Sequence, residues 1–341
     1  MRAGRRIAAA AFFAGALFLG GLAAYLAWDW RTPAAPPESP VMLTVPRGMK
    51  AGQVAEAVVR EGLVRSRFSF KAAFALYGNP RKIRAGTYRF DGPMTPLQII
   101  DKFNRGDVVY LKVTIPEGLR KEEVAKVLAD AGLGSRDALL AAAADPSPIR
   151  DLDPGAPDLE GYLFPETYLL DPGLSEKAVI SALVRGFRGW WERRGAASSQ
   201  PREVVTLASL VEKETASAPE RPLVAGVFAN RLRLGMPLQT DPSIVYAQER
   251  AGVYRGFLTR EDWAYPSPFN TYLHAGLPPG PICSPGLASL EAALHPQDTP
   301  FLYFVAKGDG THAFGRTLQE HNANVARYRR AGGGGGGRSR R

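Results

Sequence analysis

The stretch at residues 44–63, TVPRGMKAGQVAEAVVREGL, decides how the first part of the chain folds, because it recurs. It aligns without gaps to residues 114–133, TIPEGLRKEEVAKVLADAGL, with Thr, Pro, Gly, Val, Ala, Gly and Leu identical at matched places 70 residues apart. Each copy opens on a short β-type run, residues 43–45 and 111–115, followed by a Pro-x-Gly turn. Apolar residues then recur at helical spacing: Val54, Ala57 and Val58 in one copy, Val124, Val127 and Leu128 in the other. That period predicts an amphipathic helix in each. In the first copy a second helix-like run at 68–77 leads to AGTYRF, residues 85–90, which reads as a return strand. The expectation is a strand–helix–helix–strand unit.

Upstream, residues 7–28 hold 22 positions without a charged side chain. A helix of that length crosses a hydrocarbon core of about 30 Å. Arg2, Arg5 and Arg6 precede it, and Tyr25, Trp28 and Trp30 lie where an interfacial aromatic belt belongs. The positive-inside rule then keeps residues 1–6 cytoplasmic. A cleaved signal peptide is the competing reading, but the apolar run exceeds a usual signal core. Residues 29–40, rich in proline, read as an extended spacer holding the folded body off the bilayer.

Of the formal charge of +10, three arginines before the apolar run and five from Arg329 to Arg341 account for eight, which leaves two net positives on the body. Basicity therefore belongs to the tails, and no nucleic-acid partner is expected, since phosphate binding needs a clustered basic face. A single cysteine, Cys283, excludes an intramolecular disulfide and a cysteine metal cluster. The four histidines form no close ligand pair, so a metal site is not expected; no other cofactor is expected either. Residues 331–341, six glycines followed by an arginine-rich end, read as a flexible tail.

The chemistry concentrates in residues 146–330. VVTLASLVEKETASAPER, residues 204–221, is helix-like from about residue 203 and meets a breaker near Ser217 to Pro219. On a helical wheel Glu214 falls among Leu207, Leu210 and Val211 in the apolar stripe, and Glu212 falls on the other side, beside Ala208 and Ser209. A carboxyl on the buried stripe loses hydration, so its pKa rises toward that of a general acid. The competing reading of Glu214 is a buried glutamate paired with an arginine such as Arg221, Arg231 or Arg233; Glu212 reads as a solvated helix residue. Four further stretches are dense in sugar-binding side chains: LEGYLFPETY (159–168), LQTDPSIVY (238–246), FNTYLHAGLPPGPI (269–282) and FLYFVAKGDGTHAF (301–314). The last reads as a β-hairpin around GDG, whose His312 has a structural reading as well.

With these motifs in this order the chain resembles the YceG-like endolytic murein transglycosylases, from the apolar segment to about residue 330. The resemblance implies an α+β protein: an N-terminal transmembrane helix, a LysM-like α+β region over 41–145, and a mixed α/β catalytic domain over 146–330. The second glutamate of the family's E-K-E-T run falls on Glu214 and would be the catalytic acid and base. Glu166, Gln239, Asp241, Asn270 and Tyr272 are the residues expected to position the strand or the acid. The implied activity is cleavage between N-acetylmuramic acid and N-acetylglucosamine in nascent glycan strands, with 1,6-anhydro ends formed and strand length limited during wall assembly. The implied partners are peptidoglycan, the inner membrane and cell-wall synthases, with the body periplasmic. Two other functions compete: a muramidase using a second carboxylate, Asp241 or Glu166, and a non-catalytic peptidoglycan-binding scaffold.

Overall fold

A computed structural model describes residues 2–34, 40–194 and 200–332. The chain is a mixed α+β protein that folds as two compact units, residues 1–111 with 169–173, and residues 112–168 with 174–341. Most of the expected spacer's proline run and all but the first two residues of the expected tail lie outside the described residues.

The first unit begins with helix α1, Arg2–Arg31, whose window at residues 10–31 is apolar enough to cross a membrane. Strand β1 (Val41–Val45), helix α2 (Ala51–Arg60), helix α3 (Arg67–Tyr77) and strand β2 (Gly86–Phe90) then realise the strand–helix–helix–strand order. The strands pair antiparallel with Val41 opposite Phe90 and Val45 opposite Gly86. Their alternation turns Leu43, Val45, Tyr88 and Phe90 inward, against Val54 and Val58 of α2 and Phe70 and Phe74 of α3. Helix α4 (Pro96–Arg105) closes the core with Ile99 and Phe103. A capping box at Thr95 and Gln98 starts it, and Gly106 at φ 63° stops it in the left-handed conformation that glycine adopts without strain.

One expectation fails here. Residues 29–31 are not spacer but the last turn of α1, where Asp29 is buried and Trp30 packs on α3 while Arg31 stays exposed. The Trp30 indole donates to the Ser69 carbonyl at 3.0 Å and meets the Tyr77 ring edge-on at 5.7 Å. A tryptophan just past the apolar run has an apolar ring and a polar N–H to satisfy, and docking on α3 satisfies both.

Strand β3 (Leu111–Thr114), which begins on the last residue of the first unit's main segment, helix α5 (Lys121–Asp130) and helix α6 (Arg136–Ala143) repeat the pattern of the first copy. The return strand β4 (Thr167–Leu170) pairs with β3, but only after the long loop at 144–166 that carries most of the EGYLFPETY motif. Helix α7 (Glu176–Arg194) contributes Phe187, Trp190 and Trp191, which cluster with Tyr162 of that loop. Helix α8 (Pro201–Glu214) packs against α9 (Arg221–Arg233), α10 (Asp241–Arg250) and α11 (Leu287–Leu294). The hairpin β5 (Tyr303–Ala306) and β6 (His312–Gly315) and helix α12 (Leu318–Gly332) complete the second unit. The strands here form two-stranded pairs only, among the described residues, so this unit is built mainly of helices.

Candidate active site

Helix α8 is buried through its middle: every residue from Val204 to Val211 is covered. It ends on Glu214, because Thr215 turns extended (φ −138°, ψ 129°) ahead of the Pro219 breaker. The helix thus carries Glu214 to its C-terminus, where unpaired carbonyls disfavour a negative charge. There the half-buried side chain meets the start of α10. Thr240, the residue before that helix, donates its hydroxyl to Oε1 of Glu214. Thr240 is held by its own N–H, which donates to the Thr271 hydroxyl at 3.0 Å, and by its carbonyl, which accepts from Ser243 Oγ at 2.7 Å. A buried set of hydroxyls therefore fixes the one that reaches Glu214.

Burial pushes the Glu214 carboxyl up to about 7, and the negative charge of Asp241 adds to the rise; the Thr240 hydrogen bond and the positive charges of His312 and Arg231 oppose it. The group is poised to hold or release a proton near neutrality.

Glu214 forms part of the wall of a cleft of about 470 Å³ together with Arg231, Gln239, Asp241, Trp263, Tyr272 and Tyr303. Trp263 and Tyr272 stack nearly parallel, 9° apart with centroids at 5.7 Å. The Tyr272 hydroxyl donates to Asp241 Oδ1 at 2.7 Å, joining the stack to the first turn of α10. Gln239 takes a positive φ of 53°, which a non-glycine residue rarely adopts. Its N–H donates to the Thr271 carbonyl at 3.1 Å, which secures this turn directly ahead of Thr240. Arg231 spends its donors on the carbonyls of Leu238 and Leu302, at 2.8 and 2.7 Å, and its guanidinium lies 5.2 Å from the centre of the Tyr303 ring.

Two of the anticipated site residues lie elsewhere. Asn270 is fully buried behind the cleft; its amide donates to the carbonyls of Trp263 and Tyr265 and its oxygen accepts from the Tyr272 N–H. It shapes the wall rather than facing a ligand, since an amide with those partners has little capacity left. Glu166 is exposed next to β4, and it does not line the cleft that Glu214 lines. Glu212 differs too. It is not solvated: Arg221 Nη2 lies 3.0 Å from its Oε1, and the Gly286 N–H donates to its Oε2 at 3.0 Å. The arginine pairing weighed for Glu214 is made by Glu212. A wheel presumes one solvated face, and α8 has none over most of its length.

The chain as a whole is similar to known proteins. The model of the YceG-like family matches residues 43–327. The chain belongs to the YceG-like family. An endolytic murein transglycosylase from Bacillus subtilis is 33% identical over 308 residues, covering 84% of each chain. One from Streptococcus pneumoniae is 29% identical over 323 residues, which span 84% of this chain but 58% of that longer protein. A crystal structure of a protein described as yceG-like from Listeria monocytogenes superposes with a TM-score of 0.55 at 28% identity, covering 84% of this chain and 99% of that one.

Within this YceG-like chain the sequence gave no role to Thr240, Trp263 or Tyr303, and offered Arg231 only as an ion-pair partner. Thr240 sat in a motif already singled out, and its place immediately before Asp-Pro marked it as a helix cap. Trp263 had no local signal. A second raised carboxyl also emerged: burial pushes Glu160 up to about 8, yet it lines a separate cavity with Tyr246 and Phe269.

Proposed function

We propose that this chain is a membrane-anchored endolytic murein transglycosylase that cuts nascent glycan strands and thereby limits their length. The observation that carries this reading is a carboxyl with a pKa near 7 on the wall of an aromatic-lined cleft, in a family whose compared relatives bear that name. Stacked rings such as Trp263 and Tyr272 suit the apolar faces of pyranose sugars, and neighbouring polar groups suit their hydroxyls.

In this mechanism neutral Glu214 gives its proton to the oxygen bridging N-acetylmuramic acid and N-acetylglucosamine as the bond from that oxygen to C1 breaks. Thr240 occupies Oε1, so Oε2 is the oxygen that faces the bridge. The sugar's own acetamido carbonyl stabilises the positive centre, so no second enzyme carboxylate is required. The ionised Glu214 then takes the proton of the muramyl C6 hydroxyl as that oxygen bonds to C1. A 1,6-anhydro end forms, water is not consumed, and Glu214 is returned protonated. Gln239, Asp241 and Tyr272 hold the strand, and Asn270 holds the rings in place behind them.

The apolar helix α1 anchors the protein in the inner membrane, with residues 1–6 cytoplasmic and the body periplasmic. The strand–helix–helix–strand unit is a LysM-like module that captures glycan, within a region at 41–145 preceding a catalytic region at 146–330, and synthases are its neighbours there.

A second reading has one observation in its favour. Asp241 shares the cleft with Glu214, as the second carboxylate of a muramidase would. Mass spectrometry of uncross-linked peptidoglycan digested by the full chain in detergent separates the outcomes. Anhydro ends are expected. Reducing ends that have gained water would make the enzyme a muramidase, and intact strands would leave only the binding scaffold.

A further inference from the structure

Helix α3 exposes an apolar stripe that its own unit does not cover. Phe68 is 67% exposed and Leu76 69%, far above what side chains of this kind show in a core. Ala72 and Ala75 lie between them, so residues 68, 72, 75 and 76 follow the i, i+4, i+7, i+8 spacing of one helix face. The opposite face, Ser69, Phe70, Ala73 and Phe74, is the buried one. The helix is therefore apolar on both sides, although only one side meets the core.

What covers the free stripe follows from where α3 is held. The last turn of α1 grips it: Trp30 donates to the Ser69 carbonyl at 3.0 Å and packs on Tyr77. Arg65, just ahead of α3, stacks on Trp28 at 5.3 Å. Tryptophans that close an apolar transmembrane run sit at the level of lipid headgroups. A helix bonded to that turn sits at the same level. Cations lie on α3 and follow it in the chain. Arg67 and Lys71 are paired with Glu56, whereas Arg81, Lys82 and Arg84 are exposed and have no ion-pair partner among the described residues. Apolar residues flanked by such cations are the composition of a helix lying in a membrane interface that contains anionic lipid.

We infer that α3 lies on the bilayer, with Phe68 and Leu76 inserted among the lipid headgroups beside the exit of α1. The partner is the lipid surface itself, and the contact makes the first unit a monotopic foot on its own anchor. This rests on α1 being a retained membrane helix and is independent of the enzymatic activity.

The test uses the full chain reconstituted in liposomes of phosphatidylcholine with phosphatidylglycerol. Cys283 is fully buried, so Phe68→Cys and Leu76→Cys, each an exposed site, take an environment-sensitive dye selectively, with the unsubstituted chain as the background control. The expected result is quenching by lipids carrying a headgroup nitroxide, with quenching by aqueous iodide severalfold weaker than for the free dye–cysteine adduct. Iodide quenching as strong as that of the free adduct, with no lipid quenching, would overturn the inference. Failure of the chain to float with liposomes would overturn it too, by removing the anchor; that result is read separately from the dye signals.

Discussion

Arg221 Nη2 lies 3.0 Å from Oε1 of Glu212, an ion pair whose side chains are only 9% and 7% exposed. Two residues on, Glu214 receives no arginine hydrogen bond among the described residues; its partner is the neutral Thr240 hydroxyl. The two glutamates of one helix turn are thereby separated into a structural anion and a carboxyl held near neutral pKa. Their substitution should have opposite consequences.

Glu214→Gln should lower the rate of strand cleavage by about 10²–10⁴-fold, the usual loss for one acid–base group, toward the upper end because the same carboxyl acts twice. The near-isosteric amide should leave the fold and strand binding intact. Product formation by mass spectrometry, beside a thermal melt and a sacculus sedimentation assay, measures all three. A folded variant with near-normal turnover would remove Glu214 from the mechanism.

The same substitution should raise stability at alkaline pH. Glu214 has a folded pKa of about 7 against an ordinary 4.5. Its contribution is therefore fully present below about 4.5 and is lost as pH rises through about 7. The glutamine cannot ionise and escapes this loss, so Glu214→Gln should be more stable than wild type at pH 8 by on the order of 1 kcal/mol, with the difference fading near pH 4. Paired chemical denaturation curves at the two pH values provide the check.

Activity should carry the imprint of the same group. The proton-donating form of Glu214 is depleted above about 7, so kcat/KM should fall as pH rises through that value. The Thr240 hydrogen bond lowers this pKa, so Thr240→Val should move the alkaline limb to higher pH as well as reducing the rate. A pH–rate profile whose alkaline limb stays fixed in Thr240→Val would show that another group sets it.

Glu212→Gln should act through stability. It removes one charge of a buried pair and leaves Arg221 with only the longer contact to Glu117, at 3.6 Å. A loss of about 1–3 kcal/mol is expected. The alkaline limb of the pH–rate profile should stay in place at temperatures where the protein is folded. Urea denaturation together with that profile distinguishes this from a catalytic role.

Gly161→Ala tests the packing of the EGYLFPETY loop against the GLPPGPI loop. Gly161 has φ +84°, and a β-carbon there would lie 2.4 Å from that of Pro281. Neither strain can relax cheaply, so a loss of about 2–4 kcal/mol is expected. A melting temperature within a degree or two of wild type would contradict the packing.

The amino-acid sequence by itself determined the features that depend on neighbouring residues. The charge-free run gave the apolar helix, and the repeated Pro-x-Gly and helical periodicity gave the strand–helix–helix–strand order of the first unit. The Gly-Asp-Gly turn gave the β5–β6 hairpin. The motif order pointed to the family. The tertiary structure alone decided what depends on distant partners. It turned the Trp30 end of the supposed spacer onto α3, paired Glu212 with Arg221, and withdrew Asn270 behind the rings it fixes. It also brought Arg231, Trp263 and Tyr303 to the wall that Glu214 shares. A helical period records which faces avoid water only when one face has water to meet; α8, enclosed by α9, α10 and α11, has none over most of its length. There the fate of each carboxyl follows from the group placed opposite it, and that placement is a property of the fold.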